Sequence, residues 1–367
     1  MKLQHALKAL VAVGTSALIV TASAPAYASA GRSKAPVRTI TRGLDGPFGL
    51  DILSSKRALI TESVSGEITS VDLRTGAQRT LISGLAGPAG VASRGGKIYV
   101  VLGGGGAPDA PPPPPSAYPP ASLLVANKNG KGVRVLADLM AYELAHNPDG
   151  QVQFNSAGEP FDALSNPFNM IYTKWGLLVA DGGANDVLRV NPRTGKISTF
   201  FVPPNPRTPE CLQPGAQANP GTVGCDSVPT GVAVRGNHVY VSTLGAEQPG
   251  AAALWKLDGR TGKVLRVWRG FTSLTGVAVA PNGALFASEV LFGAPPDEGP
   301  PPPGFDPATV GRITRVQHGN ITHAQVTMPT GLEYFDGRLY ASAWSIASFL
   351  GIEHAGQLVQ VNPSAFR

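Results

Sequence analysis

"SNPFNMIYTKWGLLVADGGANDVLRVNPRTGKISTFFV", residues 165–202, reads as four short strands joined by tight corners. "NMIYT", "GLLVAD", "DVLRVN" and "KISTFFV" are rich in β-branched and aromatic residues and are separated by Gly, Asn and Asp. We label such strands A to D. The same order of parts recurs at 46–85 and 87–103, and again at 228–245, 273–290 and 328–344. Self-similarity at 40–60 residues is the mark of a propeller or solenoid. The C–D corners repeat too, as "RTGA" (74–77), "KNGK" (128–131), "RTGK" (193–196 and 260–263) and "QHGN" (317–320). Gly there supplies the positive φ of a hairpin, and no helix follows, so "RTGK" is a turn and not a phosphate loop.

Strand A usually opens with Pro-x-Gly: Pro47-Phe48-Gly49, Pro88-Ala89-Gly90, Pro229-Thr230-Gly231 and Pro329-Thr330-Gly331. Asn169 takes the glycine position in the third copy and Leu274 the proline position in the fifth. Glycine permits close backbone approach where inner strands crowd an axis. The sixth copy stops after its C strand, "GQLVQVN" (356–362), while "VRTITRG" (37–43) precedes the first copy and resembles a D strand. Pairing the two leaves no long edge exposed. The expected fold is therefore all-β, a six-bladed propeller of four-stranded antiparallel blades, closed by an N-terminal strand that completes the last blade. The blades fall at about 44–85, 86–139, 165–203, 227–271, 272–327 and 328–367 plus strand 37–43, in a single domain over 31–367.

Residues 1–30 read as a signal peptide. Lys2 and Lys8 precede the apolar run Ala9 to Ala22, and "APAYASA" offers cleavage after Ala28 or Ala30. That run is too short to span a membrane, so the mature chain is expected to be secreted and to carry no transmembrane segment. Losing Lys2 and Lys8, and no acid, takes the formal charge from +6 to +4. Without Lys/Arg clusters, nucleic acid is not an expected partner. Cys211 and Cys225 are the only cysteines. They bracket a Pro/Gly-rich loop in an exported chain, which predicts one disulfide.

Topology places all the extra length on one face. The A–B and C–D turns are tiny, whereas the B–C and D–A connections carry the insertions 104–121, 140–165, 203–227, 291–310 and 345–355. Insertions gathered on one face of a repeat array mark a binding face. Two of them contain proline runs, which either stand as polyproline II ridges beside the central mouth or stay disordered. Strand B ends on the same face in Glu62, Leu102, Asp181, Thr243, Glu289 and Trp344. Glu62, Asp181 and Glu289, with Asn166 and Asn169, form the candidate ligand set for a hard cation such as Ca²⁺. The competing reading, which we favour, has these carboxylates bonding to backbone N–H groups in their own corners. Trp344 completes the candidate ligand-binding residues. Asp181, Asn185 and Asp186 share one turn but lack EF-hand spacing.

No nucleophile elbow, HExxH or paired-Cys zinc spacing occurs, and no catalytic residue is assigned. His146 and His354 are the histidines in long loops; we read them as surface residues.

The assembled stretches resemble the ScyD/ScyE family, exported bacterial proteins named from scytonemin-biosynthesis gene clusters. "LADLMAYELAHNPDG" (136–150) is similar to the family's helix-like insert, and 165–190 to its SNP-aromatic strand and "VADAGGND" hairpin. "VPTGVAV" and "SLTGVAV" match its later blades. The likeness covers nearly the whole mature chain; Met170 and the long proline runs depart from it. It implies a six-bladed propeller and conveys little chemistry. The expected function is a binding or scaffold module that takes a small molecule, glycan or protein on the long-loop face. The chain is expected to act as a monomer without a cofactor, save for a Ca²⁺ at the ring. The alternative is a metal-dependent hydrolase resembling the SMP-30/gluconolactonase group, whose ion is held by residues just before inner strands. Here Gly46, Gly87, Asn166, Val228 and Met328 stand there, and only Asn166 is a ligand type. A quinone-dependent sugar dehydrogenase is a third idea without a matching constellation.

Overall fold

A computed structural model describes residues 35–104, 116–154, 160–161, 164–213, 222–295 and 302–367. The segment expected to be a signal peptide and its expected cleavage sites lie outside these residues, as do Pro111–Pro115 and the first half of the second proline run.

Six four-stranded antiparallel sheets form the ring. β1 (Val37–Leu44) comes first in the chain but belongs to the last blade. Blade 1 is β2 (Pro47–Ser54), β3 (Arg57–Glu62), β4 (Glu67–Asp72) and β5 (Gln78–Ile82). Blade 2 is β6 (Pro88–Arg94), β7 (Lys97–Leu102), β8 (Ser122–Asn127) and β9 (Arg134–Asp138). Helix α1 (Leu139–His146) and a two-stranded ribbon, β10 (Gln153–Phe154) and β11 (Pro160–Phe161), lead to blade 3. That blade is β12 (Pro167–Thr173), β13 (Gly176–Asp181), β14 (Asp186–Val190) and β15 (Ile197–Phe201). Blade 4 holds β16 (Pro229–Arg235), β17 (His238–Thr243), β18 (Ala252–Asp258) and β19 (Val264–Phe271). Blade 5 holds β20 (Leu274–Val279), β21 (Leu285–Glu289), β22 (Arg312–Gln317) and β23 (Asn320–Ala324). Blade 6 holds β24 (Leu332–Phe335), β25 (Arg338–Ala343), β26 (Gly356–Val361) and, on its outer edge, β1.

The closure is explicit in the register: Val37 lies opposite Val361 and Leu44 opposite Gly356. Packing closes the circle as well. Each neighbouring pair of blades shares one apolar cluster, such as Leu59, Ile68, Val100 and Leu124 between blades 1 and 2. Ile60, Val71, Tyr340 and Leu358 fill the equivalent space between blades 1 and 6. Six such seams bury both faces of every sheet, which is why the strands read as apolar runs with little alternation.

The Pro-x-Gly motif works at the axis. A Cβ on Gly90 would lie 2.8 Å from the Asn169 Cα, and one on Gly231 would lie 2.9 Å from the Gly276 Cα. The inner strands therefore meet backbone to backbone in a collar, and most side chains would force them apart. In blades 4, 5 and 6 the middle residue is a threonine that latches the blade to the next. Thr230 Oγ1 donates to the Leu274 carbonyl at 2.7 Å, Thr275 Oγ1 to Pro329 at 2.9 Å, and Thr330 Oγ1 to Pro47 at 3.0 Å. Each hydroxyl reaches the first or second residue of the next blade's inner strand or its leading segment, so one motif serves both curvature and closure.

Candidate functional site

The long-loop end of the axis is filled by apolar side chains. Phe48 and Phe168, from blades 1 and 3, meet edge to face with centroids 5.1 Å apart. Around them pack Leu244, Val290, Met328 and Ile346, all buried, with Trp344 half-buried against the same cluster. These residues end strand B or precede strand A, the positions that topology brings to this face. Trp344 holds a left-handed φ of 56°, fixed by its N–H donating to the Thr327 carbonyl at 2.8 Å.

Glu62, Asp181 and Glu289 surround this plug but face the segments that lead into their own blades. Glu62 accepts from the Asp45 N–H at 2.7 Å and from the Thr69 hydroxyl. Asp181 accepts from Ser165 Oγ at 2.5 Å, the Asn166 N–H at 2.7 Å and the Ala184 N–H at 3.2 Å. Glu289 accepts from the Thr272 N–H at 3.1 Å, from Arg312 Nε at 2.7 Å and from the Thr314 hydroxyl. In all three blades a strand-end carboxylate ties the segment preceding strand A to the end of strand B. Asn166 acts similarly: its Oδ1 accepts from the Gly104 N–H at 2.8 Å, bridging blades 2 and 3. Among the described residues no three His, Cys, Asp or Glu side chains converge as a ready-made metal set. Burial pushes Asp181 up to about 6 although four hydrogen bonds oppose it, and it pushes Glu62 up for the same reason.

Blade 3 carries a further acid. Asn185 is a bracket, its Oδ1 accepting from the Val228 N–H at 3.0 Å and its Nδ2 donating to Asp149. Asp186 is fully buried, and among the described residues neither of its oxygens has a hydrogen-bond partner. Burial, then the charges of Asp181, Glu143 and Asp149, pushes it well above the ordinary carboxylate range. The histidines named above sit at the surface: His146 stacks on Tyr142 with centroids 4.2 Å apart, and His354 Nδ1 lies 2.7 Å from Asp45.

Past the collar, towards the short-turn face, the six inner strands line a channel cavity of about 260 Å³. Asn169 is the one candidate ligand residue that lines it. Two carboxylates unmarked by the sequence reading line it as well, Asp51 and Glu333. Glu333 accepts from the Ile52 N–H at 2.5 Å and lies beside Asp51. Burial, and then the Asp51 charge, pushes Glu333 up to about 8; burial pushes Asp51 up to about 6 against hydrogen bonds from Ser93. A signal was present. Asp51 and Glu333 both hold the fifth position of Pro-x-Gly-x-x, where the other blades have Ala92, Ile171, Ala233 and Ala278.

The Cys211–Cys225 disulfide forms, with Cα atoms 5.0 Å apart, beneath the long-loop face beside Ala251. Closing about 15 residues is worth roughly 3 kcal/mol in the chain-entropy picture. Among the described residues no helix is long and apolar enough to cross a membrane.

Ring, collar and channel define the class of this chain: a closed six-bladed β-propeller. No family model matches the sequence. No curated protein matches it either. Solved structures do resemble it. A streptogramin B lyase shares 12% identity with a TM-score of 0.50, covering 90% of this chain and 97% of the lyase. A gluconolactonase of Xanthomonas campestris shares 10% identity with a TM-score of 0.53, covering 89% of each chain. The PQQ-bound aldose sugar dehydrogenase of Streptomyces coelicolor shares 13% identity with a TM-score of 0.50, covering 88% of this chain and 97% of the enzyme. At these identities the likeness is one of fold.

Proposed function

We propose that this chain is an exported, ScyD/ScyE-like binding or scaffold propeller that takes a small molecule, glycan or protein on its long-loop face. One observation carries the reading. Of the eleven large hydrophobics exposed among the described residues, six lie on the B–C and D–A connections that share the long-loop face: Val64, Leu144, Val152, Leu212, Val223 and Phe292. Exposed apolar side chains concentrated on one face suit contact with a partner. The disulfide is compatible with an exported chain, and the plugged axis makes this face a surface to dock on instead of a mouth to enter.

The hydrolase alternative needs ligand atoms free to turn towards an ion. Glu62, Asp181 and Glu289 already accept two or more hydrogen bonds each from their own blades. The test probes glycan and peptide arrays with the mature chain beside the triple variant Leu212→Ser/Val223→Ser/Phe292→Ser. Array signals should be lost in the triple variant, and lactone or ester turnover should show no dependence on divalent ions. Chelator-sensitive lactone hydrolysis abolished by Asp181→Ala or Asn166→Ala would replace this reading with the enzyme.

A further inference from the structure

The channel cavity holds a pair of acids with nothing positive to answer them. Asp51 and Glu333 come from neighbouring inner strands on either side of the ring closure and share one wall. Asp51 Oδ2 is buried without a hydrogen-bond partner among the described residues. The charged neighbour that raises Glu333 is Asp51 itself. Among the described residues no Lys, Arg or His lines the cavity. Segments 105–115, 153–163, 214–221 and 296–301 contain no Lys, Arg or His in their sequence either. Among the described residues, then, the fold brings no cation to this wall. A buried carboxylate without a counter-charge is costly unless it is protonated or meets a cation from outside.

We propose that the channel is a second binding site, separate from the long-loop face, and that Asp51 and Glu333 receive a small organic ammonium there. Three features of the cavity suit that ligand. Carboxylate oxygens accept charge-assisted hydrogen bonds from an N–H₃⁺ group. Tyr172 and Tyr334 border the same space, and aromatic rings nearby favour a cation. A volume of about 260 Å³ admits a compact molecule and excludes a polymer. Because the collar and plug close the far end, the ligand enters from the short-turn face, where Asp51, Asn169, Glu333 and Tyr334 keep partial exposure. Burial raises both acids, and the Asp51 charge raises Glu333 further, so the pair becomes fully ionised only at a higher pH than ordinary carboxylates.

The experiment is titration calorimetry on the mature protein with cyclohexylamine, its neutral analogue cyclohexanol, and CaCl₂ alone. Cyclohexylamine should bind at one site, and cyclohexanol should bind at least tenfold more weakly. Affinity for the amine should rise about tenfold from pH 6 to pH 9, since an aliphatic amine stays protonated there. Asp51→Asn and Glu333→Gln should each weaken the amine about tenfold or more while remaining folded by thermal denaturation. The long-loop variant Phe292→Ser should leave the amine untouched, which separates this site from the one proposed above. Equal binding of amine and alcohol, or full affinity in a folded Glu333→Gln protein, would overturn the assignment. So would CaCl₂ displacing the amine at a lower concentration than the amine itself requires, which would make the site one for an inorganic cation.

Discussion

The two ends of the propeller axis hold acids in opposite circumstances. Around the long-loop end, Glu62, Asp181 and Glu289 are each wrapped by hydroxyls and backbone N–H groups of their own blade. In the channel beyond the collar, Glu333 accepts one N–H and, among the described residues, Asp51 keeps an oxygen without a partner. The first set is buried and the channel pair half-buried, and the supply of donors is what differs most. A buried carboxylate with its donors in place is part of the framework. One without them is a group the fold carries at a cost, and its use has to be sought outside the chain.

The collar that separates the two ends is where the comparison is broken most severely. Gly90→Ala places a Cβ against the Asn169 backbone, which cannot swing aside as a side chain would. We expect a loss of about 3 kcal/mol or more, read as a fall in the urea midpoint with an unchanged slope. A neutral result would mean that the inner strands are not in contact there.

Two acids in one turn sharpen the contrast. Asp181→Asn turns an amide N–H₂ towards donors that now meet an oxygen, and should cost about 2 kcal/mol. Asp186→Asn should stabilise instead, by about 1–2 kcal/mol at pH 8, because it removes a buried charge with no partner. The sign follows from the direction of the shift. Asp186 binds its proton more tightly in the folded protein than unfolded, so its ionisation lowers stability as pH rises above the ordinary aspartate value. The advantage of Asn should therefore shrink towards pH 4. Thermal unfolding of both variants at pH 4 and pH 8 checks this, and equal effects at the two pH values would contradict the buried-charge account.

The smallest expected effect concerns closure. Thr330→Val removes the hydroxyl that reaches the Pro47 carbonyl and should cost about 1 kcal/mol. Hydrogen exchange should rise in blades 1 and 6 and not in blade 3; uniform exchange would argue against a latch at that seam.

Much of the architecture was legible in the chain itself. Strand spacing, glycine corners and the unpaired segment at 37–43 act locally or by pairing of like with like, so a linear reading reaches them. The collar was legible too, since only a crowded axis explains so many Pro-x-Gly starts. The strand-end carboxylates of blades 1, 3 and 5 lie on the side that strand order implies, but their hydrogen-bond donors were not foreseeable in detail. Ser165 stands 16 residues from Asp181 and Thr314 stands 25 from Glu289. The channel pair was hidden more deeply, because each member looks like a single polar residue in an otherwise apolar inner strand.

By itself, the sequence determined the repeat, the number of blades, the disulfide and the side of the ring on which the loops gather. All of these follow from short-range pattern and chain order. Tertiary structure alone decided that Phe48 meets Phe168 over the axis and that Asp51 stands beside Glu333, nearly the whole chain away. Ring closure is the physical reason: it makes neighbours of the first and last blades, and it turns two isolated carboxylates into one uncompensated charge.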